Sequence, residues 1–475
     1  MSRYITTAIP YVNGEPHLGH TLELVQADVL ARHSRSRGTG AHFLTGTDDN
    51  ALKNVTAAKA AGIGVQELVD TNAERFRELH APLGLSVDDF IRTSADERHA
   101  TGVRELWRAS AERGDFYQRS YEGLYCGGCE QFYREADLAD GRCVEHGVEP
   151  DLVVEQNWFF RLSRYAEHMR ELLESGRIRV EPAARRNEVL AFVRAGLADI
   201  SVSRPAARSD GWGIPVPGDP SQVIYVWWDA LANYLTANPT RWAGAAERVH
   251  VIGKGIVRFH AVYWPALLLS AGKTLPDVIA VHDYLTIDGE KISKSTGNAV
   301  APLDLVERFG ADAVRWWLLR EVAPLGDTDF TEKRLIARAD AELANGLGNL
   351  VNRVVTLAHR LRDGRVVPAP PTRAAAGLAE RVDAALAEYD LRGATAALVE
   401  VVDDANRLLD KEKPWALSGG DLDRVLGTLV STCRVLTHEL GVFLPHGAAR
   451  LRDQLGYGET VAEPKPVFPR LGKRT

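Results

Sequence analysis

The sequence predicts an α/β protein: an open parallel sheet, interrupted once by an insertion, with a helical region after it. Three observations predict this. The opening residues read strand, loop, helix, strand. Strand-like runs return near residues 223–230, 248–255 and 277–288, after a stretch in which cysteines and short turns replace that rhythm. Beyond about Asp329 the pattern is almost wholly helical. A strand–helix–strand opening favours parallel strands. Such sheets bind ligands at the carboxyl ends of their strands, with phosphates near helix N-termini.

In chain order, "YITTAIPY" from Tyr4 is rich in β-formers, and "VNGEPHLGH" is turn chemistry with Asn13-Gly14 and Pro16. "TLELVQADVLARHSRSRG" sets Leu22, Val25, Val29 and Leu30 at helical spacing and stops at Gly38. "AHFLTGTDDN" is the next short strand. From about Tyr117 the insertion begins. "VIYVWWDA" (223–230, with Trp227 and Trp228), "RVHVIGKG" (248–255) and "DVIAVHDYLTID" (277–288) read as strands of the second half of the sheet. "EKRLIARADAELANGLGNLVNRVVTLAHRLRDG" is helical, "VVPAPPTRAAA" is a Pro-rich hinge, and "AEPKPVFPRLGKRT" is a Pro-punctuated tail. The expected boundaries are 1–115 and 216–300 for the two halves of the sheet, 116–215 for the insertion, 301–335 for a linker and 336–475 for the helical domain.

Composition narrows the function. A chain of 475 residues can hold several domains of about 100–200 residues. Apolar content of 45% and charged content of 25% are those of a soluble globular protein. With a net charge of −7, binding to nucleic acid would have to use a local basic surface. No stretch reaches the roughly 18 apolar residues of a membrane span; the best, Val223 to Leu235, is broken by Asp229 and Asn233. The N-terminus lacks a basic region followed by an apolar one, so no secretory signal is expected and the location read is cytoplasmic. The four cysteines are then reduced, and metal ligation is favoured over disulfides.

Three motifs carry chemistry. "HLGH" puts His17 and His20 at the mouth of the first helix, where backbone amides attract phosphate and Gly19 allows close approach. "DGEKISKSTGN" puts Lys291 and Lys294 three apart in a Gly/Ser-rich loop, in a chain with only eleven Lys among 57 basic residues. Lys is a compact charge on a flexible stem, suited to following a moving anion. A lone KxxK is a solvated turn. Paired with upstream histidines it is what adenylyl transfer needs: His17 and His20 to orient ATP, the lysines to neutralise departing pyrophosphate. Third, Cys126-x-x-Cys129 and Cys143-x-x-His146, separated by thirteen residues, have Cys₃His zinc spacing. Cys433 stands alone in a helical stretch and reads as packing.

HLGH with KISKS resembles the two signatures of class I aminoacyl-tRNA synthetases. "AIPYVNGEPHLGH", "GLYCGGCEQFY", "WGIPVP", "YVWWDALANY", "FHAVYWPALL", "GLGNLVNR" and "KPWAL" are similar to the methionyl-tRNA synthetase family, in order and over essentially the whole chain. The resemblance implies a Rossmann-type catalytic domain with a structural zinc knuckle in its insertion, a stem-contact linker and an α-helical anticodon-binding domain. It implies ATP with Mg²⁺, methionine, and initiator and elongator methionine tRNA as partners. ATP would be bound by His17, Gly19, His20, Gly253, Lys291 and Lys294, with Lys294 the chief catalytic residue beside Lys291, His17 and His20. Methionine would be held by Ile9, Tyr11, Trp227, Ala230, Tyr234, Ile256 and His260, and its ammonium by Asp48. Asn349, Arg353, Pro414 and Trp415 would read the anticodon, the Trp by stacking from a loop.

The insertion is too short to hold the large editing domain of synthetases for branched aliphatic amino acids. The chain also ends without the extra dimerising domain of some members, so a monomer is expected. The family pattern is broken in three places: Asp48-Asp49-Asn50-Ala51 stands for Asp-Glu-His-Gly, Gly255 for an Asp that contacts the ATP ribose, and His282-Asp283-Tyr284 for His-Gly-Tyr. The alternative expectation is a paralogous class I adenylating ligase that acts on another amino acid or joins it to a small amine.

Overall fold

The computed structural model describes residues 2–127, 131–133, 135–144, 147–292 and 300–472. The chain folds as two compact units, one of Met1–Pro16, Thr39–Glu78 and Val87–His282, the other of His17–Gly38, Leu79–Ser86 and Asp283–Thr475.

The strands of the first unit are β1 (Arg3–Thr7), β2 (Ala41–Thr47), β3 (Asp89–Arg92), β4 (Phe116–Cys126), β5 (Gln131–Tyr133), β6 (Asp151–Phe160), β7 (Arg179–Glu181), β8 (Ile200–Ser201), β9 (Ser203–Pro205), β10 (Pro215–Val216), β11 (Asp219–Ile224), β12 (Glu247–Gly253) and β13 (Val278–His282). Six form one parallel sheet in the order β3-β2-β1-β12-β13-β7. The two sequence halves meet where β1 pairs with β12, Ile5 opposite Val249 and Thr6 opposite His250. From β1 the chain runs to β2 and β3 on one side, and from β12 to β13 on the other. This reversal is the switch point beyond which open α/β sheets bind ligands. The four central strands, β2, β1, β12 and β13, are buried almost end to end, as parallel strands covered on both faces must be. Gly46 on β2 is required by proximity, since a Cβ there would lie 2.0 Å from Ile91 O on β3.

Two expectations are corrected here. Residues 179–181 fall inside the expected insertion, yet they are the edge strand β7, pairing in parallel with β13. The rest of the insertion does build its own layer, the antiparallel sheet β5-β4-β6-β8 beside the small sheet β10-β11-β9. Second, "VIYVWWDA" is not one strand. β11 ends at Ile224, and Trp227 and Trp228 lie on a helix, Val226–Thr236. Nearly every residue of that helix is buried, so its apolar run has no amphipathic period that could set it apart from a buried strand.

The second unit contains α1 (Leu18–Ser36) and a small sheet of β14 (Leu285–Ile287), β15 (Glu290–Lys291) and β16 (Thr328–Asp329), with helices over most of the remainder. We label the helices used below α2 (Glu97–Glu112) and α3 (Val226–Thr236) in the first unit. In the second they are α4 (Ala311–Arg320), α5 (Asn349–Arg362), α6 (Leu391–Glu412) and α7 (Gly419–Phe443). α1 is pinned to α4 by Asp28, which accepts from Arg315 Nη2 and Arg32 Nε, both at 2.8 Å, and from Ser86 N and Oγ. Burial pushes this carboxyl up, but the two guanidinium groups and Ser86 outweigh it and hold it below its usual value. Arg37 at the end of α1 forks onto both carboxylate oxygens of Glu439 on α7.

Cys433 is fully buried in α7, its thiol pushed up to about 12 by burial, so it packs as expected. The tail is tied down by Leu471 N and Gly472 N, which donate to the Asp340 carboxylate. Among the described residues no helix is long and apolar enough to cross a membrane.

Candidate active site

The residues expected to hold the amino acid gather at the carboxyl ends of β1, β2 and β12. The segment after β1 runs beside the segment after β2, with Tyr11 bridged in parallel to Asp48 and Asp48 N donating to Pro10 O at 2.9 Å. This puts Ile9 and Tyr11 next to a buried carboxylate. α3 adds Trp227, Ala230 and Tyr234, spaced three and four apart and so on one face. The rings of Tyr11 and Trp227 meet edge to face at 6.4 Å, and Phe259 stacks on Trp227 at 3.9 Å. After β12, Ile256 ends a short 3-10 turn that also contains Gly255, and His260 lies in a π-helical turn, Phe259–Tyr263. Wide helical turns of this kind are frequent at functional sites.

The Tyr234–His260 pair in this cluster has a defined protonation. His260 Nδ1 is 2.9 Å from Ile256 O, a carbonyl that can only accept, so the neutral ring carries its proton on Nδ1. Nε2 then accepts from the Tyr234 hydroxyl at 2.7 Å. Burial lowers His260 to about 4 and His250 well below its usual value, the latter also through His260. Both rings are therefore neutral at physiological pH. His250 supports the pair from behind, with its ring 4.2 Å from that of Tyr234 and its Nδ1 2.6 Å from Thr6 Oγ1.

HLGH caps α1 with side chains. His17 Nδ1 accepts from Gly19 N, and His20 Nδ1 accepts from His17 N, both at 3.1 Å. The two rings stack at 3.8 Å. A ring nitrogen that accepts an N–H bond carries no proton, so each neutral imidazole has its N–H at Nε2. A Cβ on Gly19 would sit 3.0 Å from the His17 ring, a tight contact that glycine avoids. Leu18 N donates to Val300 O at 3.2 Å, so the chain just past the lysine loop is bonded to the first turn of α1. Lys291 lies on β15, its backbone paired with Thr286 of β14. Lys294 lies outside the described residues. Gly253 is the last residue of β12.

A family model described as tRNA synthetases class I (M) matches residues 3–137 and 133–355. A methionine–tRNA ligase of Brucella suis biovar 1 (strain 1330) is 40% identical over 507 residues, covering 98% of this chain and 97% of that protein. The chain belongs to the methionyl-tRNA synthetase family. Another family member, the methionine–tRNA ligase of Rhizobium meliloti (strain 1021), is also 40% identical, with 98% of each chain covered. Among solved structures, the Mycobacterium tuberculosis methionyl-tRNA synthetase in complex with methionyl-adenylate matches with TM-score 0.91 at 37% identity, covering 99% of this chain and 100% of that one. The apo form of the M. tuberculosis protein matches with TM-score 0.83 at 35% identity, covering 99% and 98%.

Other residues singled out by the methionyl-tRNA synthetase resemblance are placed as follows. Cys126 ends β4 and Cys143 follows the short antiparallel bridge between Ala139 and Arg142, both buried, with Cys143 Sγ 3.6 Å from Tyr133 Oη. Cys129 and His146 lie outside the described residues. Among the described residues no group of three or more His, Cys, Asp or Glu is placed to hold a metal. Asn349 and Arg353 share a face of α5, where Arg353 Nη2 donates to Asp410 Oδ1 of α6 at 2.9 Å. Pro414 and Trp415 form a short 3-10 turn packed against α5, not an open loop. Pro414 is buried, whereas Trp415 is 51% exposed. Of the three departures, Asp283 is a structural acceptor, taking Gly326 N at 2.5 Å. Sequence reasoning missed Phe259, His250, His99 and Asp229. The last two are a buried acid and base far apart in sequence, with no local spacing to pair them.

Proposed function

We propose that this chain is a methionine–tRNA ligase. The methionine α-carboxylate attacks the α-phosphorus of ATP, the bond to the β-phosphate breaks, and pyrophosphate leaves. A ribose hydroxyl at the 3′ end of methionine tRNA then attacks the acyl carbonyl and displaces AMP. The observation that carries the substrate is the pocket: aromatic walls closed by an uncharged Tyr234–His260 pair. A thioether packs well against rings and accepts only weak hydrogen bonds, so a charged group there would be left uncompensated.

Each role follows from the chemistry of the side chain. Asp48 pairs with the substrate ammonium. The Nε2–H groups of His17 and His20 donate to phosphate oxygens, and Gly19 and Gly253 let the backbone approach ATP. Lys291 and Lys294 stabilise charge that develops on pyrophosphate. Mg²⁺ enters as the counter-ion of ATP. Cys126, Cys129, Cys143 and His146 would hold a structural zinc; the cysteine spacing and the burial of Cys126 and Cys143 support this, and a closed ligand set leaves no position for catalysis. Residues 1–115 and 216–300, with β7 from within the insertion, serve catalysis, the remainder of 116–215 carries the knuckle, 301–335 meet the acceptor stem, and 336–475 read the anticodon through Asn349, Arg353 and Trp415. The enzyme acts in the cytoplasm as a monomer on initiator and elongator methionine tRNA.

The test is amino-acid-dependent ATP–pyrophosphate exchange, run with each of the twenty amino acids, followed by charging of tRNA. Methionine alone should drive exchange, and methionine tRNA should accept the product. Exchange driven by another amino acid, or exchange without charging, would favour the paralogous ligase.

A further inference from the structure

Asn50 stands two residues after Asp48, at a departure from the family pattern. Its Nδ2 donates to Asp229 Oδ2 at 2.7 Å and to Thr93 O at 3.3 Å. Asp229 is fully buried in the first turn of α3, between Trp227 and Ala230 in sequence. Its other oxygen, Oδ1, lies 2.5 Å from Nε2 of His99 on α2, which is also fully buried. His99 Nδ1 is 2.8 Å from Thr236 Oγ1 at the far end of α3. One carboxylate thus joins three elements: the loop after β2, the pocket helix α3 and α2. A buried carboxylate is tolerated only when its lone pairs are taken up, so the geometry of all three elements is constrained together.

The loop transmits what Asn50 does. Asp48 N is bonded to Pro10 O, and Asn54 Nδ2 donates to the carbonyls of both Asp48 and Asp49. Asp49 is fixed in turn by Arg92, Thr47 and Ser94. With so few free torsions, a shift at Asn50 moves Asp48. The amide is a neutral donor, so it satisfies Asp229 without adding a charge beside Asp48.

We infer that the Asn50–Asp229 hydrogen bond is a positioning contact for amino-acid recognition, fixing Asp48 relative to the aromatic face of α3. The departure at Asn50 therefore acts on methionine and not on ATP. This rests on the proposed function, in which Asp48 binds the ammonium and α3 the side chain.

The experiment is pyrophosphate exchange on the full chain, with KM measured separately for methionine and ATP. Asn50→Asp sets two acceptors against each other. It should raise KM for methionine roughly ten- to a hundredfold, the usual result of leaving a buried acceptor unsatisfied. KM for ATP should stay within about twofold. Asn50→Asp combined with Asp229→Asn reverses donor and acceptor while leaving an oxygen for His99, and should recover most of the methionine affinity. A packing role alone would lower the melting temperature without separating the two KM values. Should Asn50→Asp not fold, Asn50→Ala, uncharged and at a partly exposed position, should shift KM in the same direction by less. The inference is overturned if KM for methionine does not move, if both KM values rise together, or if the exchanged pair recovers nothing. A wild-type chain that ignores methionine would instead overturn the proposed function. The same comparison, made with whichever amino acid drives exchange, would then decide the role of Asn50.

Discussion

The Tyr234 hydroxyl donates to His260 Nε2 at 2.7 Å, and the direction of that bond is fixed by a second one, from His260 Nδ1 to Ile256 O. A backbone carbonyl thus sets the tautomer of a pocket histidine, and the histidine orients a tyrosine. Tyr234→Phe would remove the donor and leave Nε2 a buried acceptor with no partner, at a cost of about 1–3 kcal/mol. We expect KM for methionine to rise roughly five- to a hundredfold, with KM for ATP little changed. Steady-state exchange kinetics at varied methionine check this.

Stability should depend on pH through the same ring. Burial lowers His260 from 6.5 to about 4, so between those values the unfolded chain binds a proton that the folded chain does not. The contribution is complete above pH 6.5 and is lost as pH falls towards 4; the gap corresponds to on the order of 3 kcal/mol. His250 is shifted in the same direction. Thermal midpoints at pH 7 and pH 5 should show a smaller drop for His260→Gln than for the wild type. Equal drops would show that the ring does not titrate in this window.

The two duties of His17, capping and donation, can be separated. Asn keeps a side-chain acceptor at the N-cap, so His17→Asn should cost little stability, whereas His17→Ala should cost about 1 kcal/mol. Both remove the Nε2 donor, and both should slow exchange by roughly 10²–10³, as for other donors to transition-state charge. Melting curves and exchange rates on the two variants provide the comparison. Normal exchange by His17→Asn would confine the residue to capping.

Trp415 is half exposed on its turn, whereas the preceding Pro414 is buried. Trp415→Ala should leave exchange nearly intact and weaken tRNA charging by roughly ten- to a hundredfold, the loss of one base-stacking contact of about 1–3 kcal/mol. Arg353→Ala should act in the same direction. Paired exchange and charging assays on the same preparations decide the matter: if both activities fall together, Trp415 serves folding.

One zinc per chain is expected by elemental analysis of protein purified without added metal. Cys126→Ser and Cys143→Ser should each lose it. An active, fully folded and metal-free preparation would remove the claim.

Much of this protein was legible in the sequence because its signals are local. The turn before α1, the Cys-x-x-Cys and Cys-x-x-His spacing and the period of the late helices each depend on neighbours within a few residues, and HLGH, KISKS and KPWAL recur in family order. What the sequence could not decide depended on distance. α3 reads as a strand because burial on all sides erases its period, and only packing revealed a helix. β7 looks like part of an insertion because its partner β13 lies about a hundred residues downstream, and register across a parallel sheet leaves no local trace. The tautomers of His17, His20 and His260 are a separate case: the backbone atoms that set them lie only two to four residues away, but the pairing needs the helical turns that form there. Asn50 carried no sign of its partner: Asp229 is 179 residues away, and only the tertiary structure places a neutral donor against a buried carboxylate at 2.7 Å.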